Sequence, residues 1–205
     1  MVLVHGLNGF KEGWGPLPGA LAAAGMRAVM PDLPGSGSSP RLRRTDPEAM
    51  ARAVGALVDR LGAASLVAHS LGAQIALIVA ARRPGAVTRL ALLAPWVVPR
   101  PLRLPPRSVA DLLRLPLVGR PLAMLAIAHL RRDPARRRAA FTSALADPAR
   151  LSRDPAMAVL LGTAADRLAT ADLRAMAAWA ATAIAHDVRP LVPVVTAPAL
   201  VVSGA

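Results

Sequence analysis

The serine best placed for nucleophilic chemistry lies in the pentapeptide Ala68-His69-Ser70-Leu71-Gly72, between a Val-rich stretch and an apolar stretch. A serine on a sharp turn from strand to helix has its hydroxyl pushed beyond the sheet edge, and the residues two before and two after it must be small. Ala68 and Gly72 meet that requirement, although the usual pattern G-x-S-x-G has glycine where Ala68 stands. The N–H of Leu71, at the start of the helix, has no helical partner and points where an oxyanion would form. The pattern predicts a nucleophilic Ser70, and the alternative is an ordinary serine that caps a helix.

A second segment, Val2-Leu3-Val4-His5-Gly6-Leu7-Asn8-Gly9, reads as a buried strand that ends in a glycine-rich loop. Such a loop lets a backbone N–H face the serine, as a second oxyanion donor must. A third segment, residues 31–39, reads Pro-Asp-Leu-Pro-Gly-Ser-Gly-Ser-Ser and is typical of a glycine turn. We expect its acid, Asp32, to bind the backbone of its own loop. The alternative role for Asp32 is the carboxylate of a catalytic triad.

In order and spacing, these three segments resemble the α/β-hydrolase family in its serine hydrolase and esterase branch. The resemblance covers residues 1–95 and extends to 196–204. The resemblance implies that Ser70 is the nucleophile and that the backbone N–H groups of Leu7 and Leu71 form the oxyanion hole. It also implies that His5, Gly6, Ala68, His69 and Gly72 support the loop and the elbow. A serine in this position argues against the epoxide-hydrolase and haloalkane-dehalogenase branches, which need aspartate there. The implied reaction is hydrolysis of an ester, thioester, amide or carbon–carbon bond through an acyl-enzyme, and we expect a carboxylic ester as the substrate.

The chain departs from the family's pattern at both ends. The family's triad runs serine, acid, histidine, so the resemblance places the acid and the histidine beyond Ala205. Met1 begins directly on a strand that two others precede in the family, which suggests truncation at both ends. His129 and His186 are alternative bases, although we expect them to be polar residues on helix faces or ends. A rival hypothesis is a decayed, non-catalytic hydrolase fold that only binds a ligand or a partner.

The elements that must position these residues alternate between strands and helices. Apolar β-type stretches predict strands at residues 2–5, 27–30, 64–69, 87–94 and 199–203. Between them, helical patterns cover residues 17–24, 47–61 and 71–83, the second of which begins at the capping sequence Asp46-Pro47-Glu48. The alternation predicts an α/β fold, a doubly wound and mainly parallel sheet of about five strands with helices on both faces. The family's strand order would place the segment 27–30 outermost, beside 2–5.

A change in composition at Pro95 marks a helical insertion. Seven prolines fall between Pro95 and Pro121, and helical patterns follow. We therefore predict a first core part at 1–95, a helical cap at 96–187 and a last core part at 188–205. Helix starts are expected at Asp133-Pro134 and Asp154-Pro155, with Thr170 as the cap of a final helix through about Ala185. The apolar segments 122–128 and 157–161 are expected to face Ser70.

Composition excludes several classes of protein. The net charge is +13, from 25 basic and 12 acidic residues, yet the five aromatic residues are scattered, which argues against a nucleic-acid binder. The chain has no cysteine, no apolar run long enough to span a bilayer and no signal sequence, so we expect a cytoplasmic protein without cofactor or metal. The oligomeric state stays open. An arginine cluster is expected to be a solvated surface, with an acidic membrane or acyl-CoA as alternative partners; it comprises Arg131, Arg132, Arg136, Arg137 and Arg138.

Overall fold

The computed structural model describes residues 1–99, 115, 117–142, 149 and 153–203. Four parallel strands form one sheet in the order β1-β2-β3-β4. Their bounds are Val2–Val4 (β1), Ala64–His69 (β2), Val87–Leu93 (β3) and Ala199–Val202 (β4). Because all four strands run in the same direction, their carboxyl ends meet at one edge of the sheet, where ligands bind in open α/β folds.

The segment predicted as a strand at 27–30 forms only an isolated parallel bridge, between Val29 and Val2. The Val29 N–H donates to the Met1 carbonyl, and the Leu3 N–H donates to the Val29 carbonyl. The next donor in this ladder would be residue 31, which is a proline and has no N–H. The segment therefore lies outermost, beside β1, as expected, but the pairing stops after one residue.

Three helices accompany the first three strands: α1 (Leu17–Ala23), α2 (Pro47–Leu61) and α3 (Gly72–Arg82). The Asp46 carboxylate accepts a hydrogen bond from the Ala49 N–H, which confirms the predicted start of α2. A short 3-10 helix, Lys11–Trp14, precedes α1, and another, Arg189–Val194, precedes β4. The main core joins the buried faces of β1, β2 and β3 to α2 and α3.

Between β3 and β4, the described residues form four α-helices and no strand: α4 (Gly119–Arg132), α5 (Pro134–Thr142), α6 (Pro155–Thr170) and α7 (Leu173–Ala185). Asp133 and Asp154 cap α5 and α6 as predicted. The expected cap at Thr170 is wrong, because α6 runs through Thr170 and the Asp172 carboxylate accepts from the first N–H groups of α7. Most of the proline-rich stretch lies outside the described residues.

The two outer strands differ in their surroundings. All three residues of β1 are buried, whereas all four residues of β4 are exposed, with Leu200 at 61%. Within the described part of the chain, no helix has the length and apolar character needed to cross a membrane.

Candidate active site

Ser70 occupies the turn between β2 and α3. Its φ of 53° lies in the left-handed region, which is uncommon for a residue other than glycine. Three backbone hydrogen bonds hold this conformation: the Ser70 N–H donates to Leu93, and its carbonyl accepts from Ala73 and Trp96. Strained residues of this kind cluster at functional sites because the surrounding structure must enforce them. This is the strand-turn-helix geometry that the pentapeptide predicts.

The His5-Gly6 loop lies directly against the elbow. A Cβ placed on Gly6 would stand 3.0 Å from the Ser70 Cβ and 2.9 Å from the His69 carbonyl oxygen. A Cβ on Gly72 would stand 2.5 Å from the His5 carbonyl oxygen. Both glycines are therefore required by close approach of the backbone, and Ala68, the other small residue, is fully buried on β2.

His5 is fixed by hydrogen bonds on both ring nitrogens. Its Nδ1 lies 2.8 Å from the Gly6 carbonyl oxygen and must donate, so its Nε2 accepts from the Leu33 N–H at 3.0 Å. Burial lowers the pKa of the His5 imidazole, and the Gly6 hydrogen bond opposes that shift only in part. The ring is neutral and has no free nitrogen for a substrate. It ties the loop at Gly6 to the turn at Leu33, as a bracing residue would.

Asp32 organises the glycine turn, as predicted. Its carboxylate accepts from the Lys11 N–H at 2.8 Å and from the Ser38 N–H at 3.1 Å, and it pairs with the Lys11 ammonium at 3.6 Å. Burial raises the pKa of the Asp32 carboxyl, but these hydrogen bonds and the ammonium outweigh burial and leave that pKa lowered. The side chain thus binds its own loop through Ser38 and also joins that loop to the 3-10 helix through Lys11.

Two backbone N–H groups beside the elbow lack acceptors. Among the described residues, neither Leu7 nor Leu71 donates a backbone hydrogen bond. Leu71 is 2% exposed, and Leu7 packs against both the main core and a small cluster between α4 and α7. Unpaired N–H groups are uncommon in folded proteins. Both of these groups can donate a hydrogen bond to an anionic or carbonyl oxygen.

A largely apolar cavity of about 350 Å³, which we call the elbow cavity, opens beside this turn. Ser70 itself is not among its lining residues, but Gly6, Leu7, His69 and Leu93 around it are. The opposite wall includes Phe141 of α5 and three residues of α6, Leu160, Leu161 and Ala164. The sequence did not predict the contributions of Phe10, Trp14 and Phe141, because their spacing shows no pattern.

The two apolar segments expected to face Ser70 behave differently. Leu160 and Leu161, from 157–161, line the elbow cavity. The expectation for 122–128 is wrong at this cavity: Ala123 and Ile127 pack between helices, and Leu125 is 69% exposed. Ala123 and Ile127 of α4 are therefore buried between helices, whereas Leu122 and Leu125 are exposed.

Neither alternative base reaches the elbow cavity. The His129 Nε2 accepts a hydrogen bond from the Arg136 guanidinium at 2.5 Å. His186 ends α7 and lies beside the start of α2, near Asp46 and Glu48. Neither histidine is among the residues that line the cavity at His69. The expected positions of the triad acid and histidine lie outside the described residues.

The arginine cluster is not a uniform surface patch. Arg137 is 7% exposed, and its Nε donates to the Ala165 carbonyl of α6 at 2.8 Å. A second guanidinium nitrogen of Arg137 donates to the Arg131 carbonyl. Arg136 pairs with Asp133 at 3.2 Å. Arg137 therefore joins α5 to α6 and is not available to an external partner.

The sequence matches the family model of the alpha/beta hydrolase fold over residues 1–205. Over 97 residues, or 46% of the chain, it is 40% identical to the dihydrolipoyllysine-residue acetyltransferase component of the acetoin cleaving system of Pseudomonas putida, of which the match covers 26%. Over 93 residues, or 44% of the chain, it is 34% identical to the mouse (Mus musculus) sn-1-specific diacylglycerol lipase ABHD11, of which the match covers 30%. The chain thus spans less than a third of the curated relatives it matches.

A solved structure supports the fold over nearly the whole chain. The enol-lactonase from Burkholderia xenovorans LB400 superposes with a TM-score of 0.72 at 24% sequence identity. The superposition covers 99% of this chain and 71% of that chain.

Proposed function

The chain belongs to the alpha/beta hydrolase fold family, and on that premise we propose that it is a serine hydrolase of carboxylic esters with small or lipid-like acyl groups. The observation that carries the proposal is Ser70, whose left-handed backbone lies against Gly6 between two N–H groups without acceptors. The similarity to a protein named as a diacylglycerol lipase supports an ester as the substrate.

In the proposed reaction, the Ser70 hydroxyl oxygen attacks the ester carbonyl carbon while a base removes the hydroxyl proton. The carbonyl oxygen becomes an oxyanion that accepts from the N–H groups of Leu7 and Leu71. The carbon–oxygen bond of the ester then breaks, and the departing alkoxide takes the proton from the base. Water attacks the acyl-enzyme in the same way, which releases the acid and restores Ser70.

We propose that the base and its acid partner follow β4 in the chain. The Val202 carbonyl accepts from Ala94, and Leu93 accepts from Ser70, so β4 ends at the same sheet edge as the elbow. Residues that leave β4 there emerge two strands away from Ser70. We also propose that α4–α7, within residues 96–187, form the cap, with Leu160 and Leu161 turned toward the substrate.

A fluorophosphonate probe tests the nucleophile directly. We expect the probe to label Ser70 in the protein with its full C-terminal sequence, and Ser70→Ala to abolish labelling with little change in Tm. Ser65→Ala, at a serine near the start of β2 whose hydroxyl pairs with Thr88, is the matched control and should label normally. Labelling that survives Ser70→Ala would exclude the assignment, and a protein that never labels would favour the non-catalytic alternative.

Turnover by the 205-residue chain is a second test. Without a triad member, the rate constant of a serine hydrolase falls by about 10⁴–10⁶. We therefore expect weak or no ester hydrolysis from residues 1–205 alone. Robust hydrolysis by these residues would mean that the base is His129 or His186.

A further inference from the structure

A second cavity, of about 300 Å³, adjoins the elbow cavity at residues 8–10. Asn8, Gly9 and Phe10 line both cavities. Its walls come from the glycine turn and from the junction between α6 and α7. We call it the arginine cavity, because two guanidinium groups, those of Arg41 and Arg167, line it.

The lining of the arginine cavity is rich in hydrogen-bond donors. Among the described residues, neither the Gly37 N–H nor the Ser36 hydroxyl has a hydrogen-bond partner. The lining contains one carboxylate, Asp172, which already accepts from the first N–H groups of α7. The lining therefore combines two arginines, the Ser36 hydroxyl and the Gly37 N–H with one carboxylate, which is already hydrogen-bonded.

Each guanidinium forms an ion pair with a carboxylate and has further N–H donors that can bind a ligand. Arg41 pairs with Asp172 at 3.5 Å, and Arg167 pairs with Glu12 at 3.0 Å. The Arg167 guanidinium also lies 5.7 Å from the centre of the Phe10 ring, which orients it toward the loop that lines both cavities. Both arginine side chains are about half exposed, and a guanidinium has five N–H donors, so further acceptors can bind.

We propose that the arginine cavity binds the carboxylate of a substrate whose acyl part ends in a second acid group, such as a monoester of a dicarboxylic acid. The apolar stretch of that acyl part occupies the elbow cavity, and its carboxylate passes the loop Asn8–Phe10 to reach Arg41 and Arg167. Guanidinium and carboxylate have matching geometry, and their charge-assisted hydrogen bonds are the strong ones. The inference rests on the proposed hydrolase function for the position of the ester.

Binding can be measured without turnover, by calorimetry on the Ser70→Ala variant of the protein. The probes are monomethyl adipate and dimethyl adipate, which differ by one methyl group and one negative charge. We expect the monoanion to bind about tenfold more tightly, because a hydrogen bond to a charged group contributes about 1.5 kcal/mol or more. Raising the salt concentration should reduce that preference.

Substitutions can show whether Arg41 and Arg167 bind the substrate carboxylate or only stabilise the fold. Arg41→Met and Arg167→Met should each remove most of the preference for the monoanion and leave the affinity for the diester unchanged. Arg60→Met, at an exposed arginine of α2, is the matched control and should keep the preference. Glu12→Gln removes the partner of Arg167 but keeps its guanidinium, so the monoanion should bind as tightly as before or more tightly.

Equal affinity for the two probes in the parent protein would overturn the proposal. So would a loss of monoanion binding in Glu12→Gln as large as in Arg167→Met, because Arg167 would then only clamp α6 to the 3-10 helix. The fluorophosphonate experiment keeps the two proposals apart. If the monoanion binds more tightly but Ser70 is not labelled, the carboxylate site is supported and the hydrolase function is excluded. If Ser70 is labelled but the two probes bind equally, the hydrolase function is supported and the carboxylate site is excluded.

Discussion

The helices α3 and α6 are both apolar, yet they differ in how many of their residues are buried. Nine of the eleven residues of α3 are buried, against two of the sixteen in α6, so α3 packs on every side while α6 packs on one. The sheet, α2 and α7 surround α3, and much of the apolar face of α6 borders the elbow cavity. We infer that the apolar residues of α3 stabilise the core, whereas those of α6 contact the substrate in the proposed function.

The sharpest test of this contrast is a pair of Gly→Ala substitutions. Gly72→Ala places a Cβ 2.5 Å and 2.6 Å from the carbonyl oxygens of His5 and Val4, which are backbone atoms that cannot move aside. We expect a loss of about 4 kcal/mol or more in the free energy of unfolding. In α6, Gly162 has open space around its Cβ position, so Gly162→Ala should raise that free energy by about 0.5–1 kcal/mol. Urea denaturation followed by circular dichroism measures both, and equal effects would contradict the contrast.

A pair of Leu→Ala substitutions compares packing with ligand binding. Leu77 in α3 is 5% exposed, so Leu77→Ala should lower the free energy of unfolding by about 2–3 kcal/mol. Leu161 borders the elbow cavity, and Leu161→Ala should cost about 1 kcal/mol or less in stability. It should instead raise the KM for esters with apolar acyl chains. A Leu161→Ala variant as unstable as Leu77→Ala would show that α6 is core.

Arg137 is an exception to the contrast, because it is the one buried residue of α5 and yet it is charged. Arg137→Met removes hydrogen bonds to the carbonyls of Ala165 and Arg131, and we expect it to cost about 1–2 kcal/mol of unfolding free energy. Arg138→Met, one residue on and exposed, is the control and should change stability by less than about 0.5 kcal/mol. Identical thermal unfolding of the two variants would refute a joining role for Arg137.

The smallest expected effect is a pH dependence of the free energy of unfolding, caused by the buried residue His5. Because burial holds the pKa of folded His5 below its ordinary value of 6.5, the unfolded chain binds more protons than the folded one as pH falls below that value. The contribution of His5 to stability is therefore present above about pH 6.5 and declines as pH drops toward the folded pKa. Denaturation at several pH values between about 7.5 and 5 should show a slope that His5→Gln reduces and His129→Gln, at an exposed histidine, leaves unchanged. The slope that remains in His5→Gln is expected from His69, whose pKa burial also lowers. A slope unchanged in His5→Gln would mean that another group titrates.

The sequence was informative wherever a local rule determines the structure. Four of the five predicted strands, the helix starts at Asp46, Asp133 and Asp154 and the turn role of Asp32 follow from short-range hydrogen bonding or periodicity and are confirmed. The fifth predicted strand, at 27–30, forms only a single bridge. The Thr170 assignment failed because two capping residues stand two positions apart, and only Asp172 reaches the free N–H groups of α7.

Long-range contacts account for what the sequence did not reveal. The bond from Leu33 to the His5 Nε2 joins residues 28 positions apart, and no local pattern encodes it. The arginine cavity likewise depends on how α6 docks against the 3-10 helix through Arg167 and Glu12. Fold class and elbow were thus predictable, while the cavities required three-dimensional packing.

The pairing of β3 with β4 has a consequence for synthesis on the ribosome. Leu90 aligns with Ala199, so the whole helical region must emerge before β3 gains its second neighbour. Closing so long a loop adds only a logarithmic entropy cost, but such non-local pairing slows folding. Until then, the outer edge of β3 is an open template for strands of other chains, and the exposed charge of Arg89 on that strand opposes such pairing. We therefore expect Arg89, which has no part in the proposed chemistry, to reduce aggregation of the nascent chain.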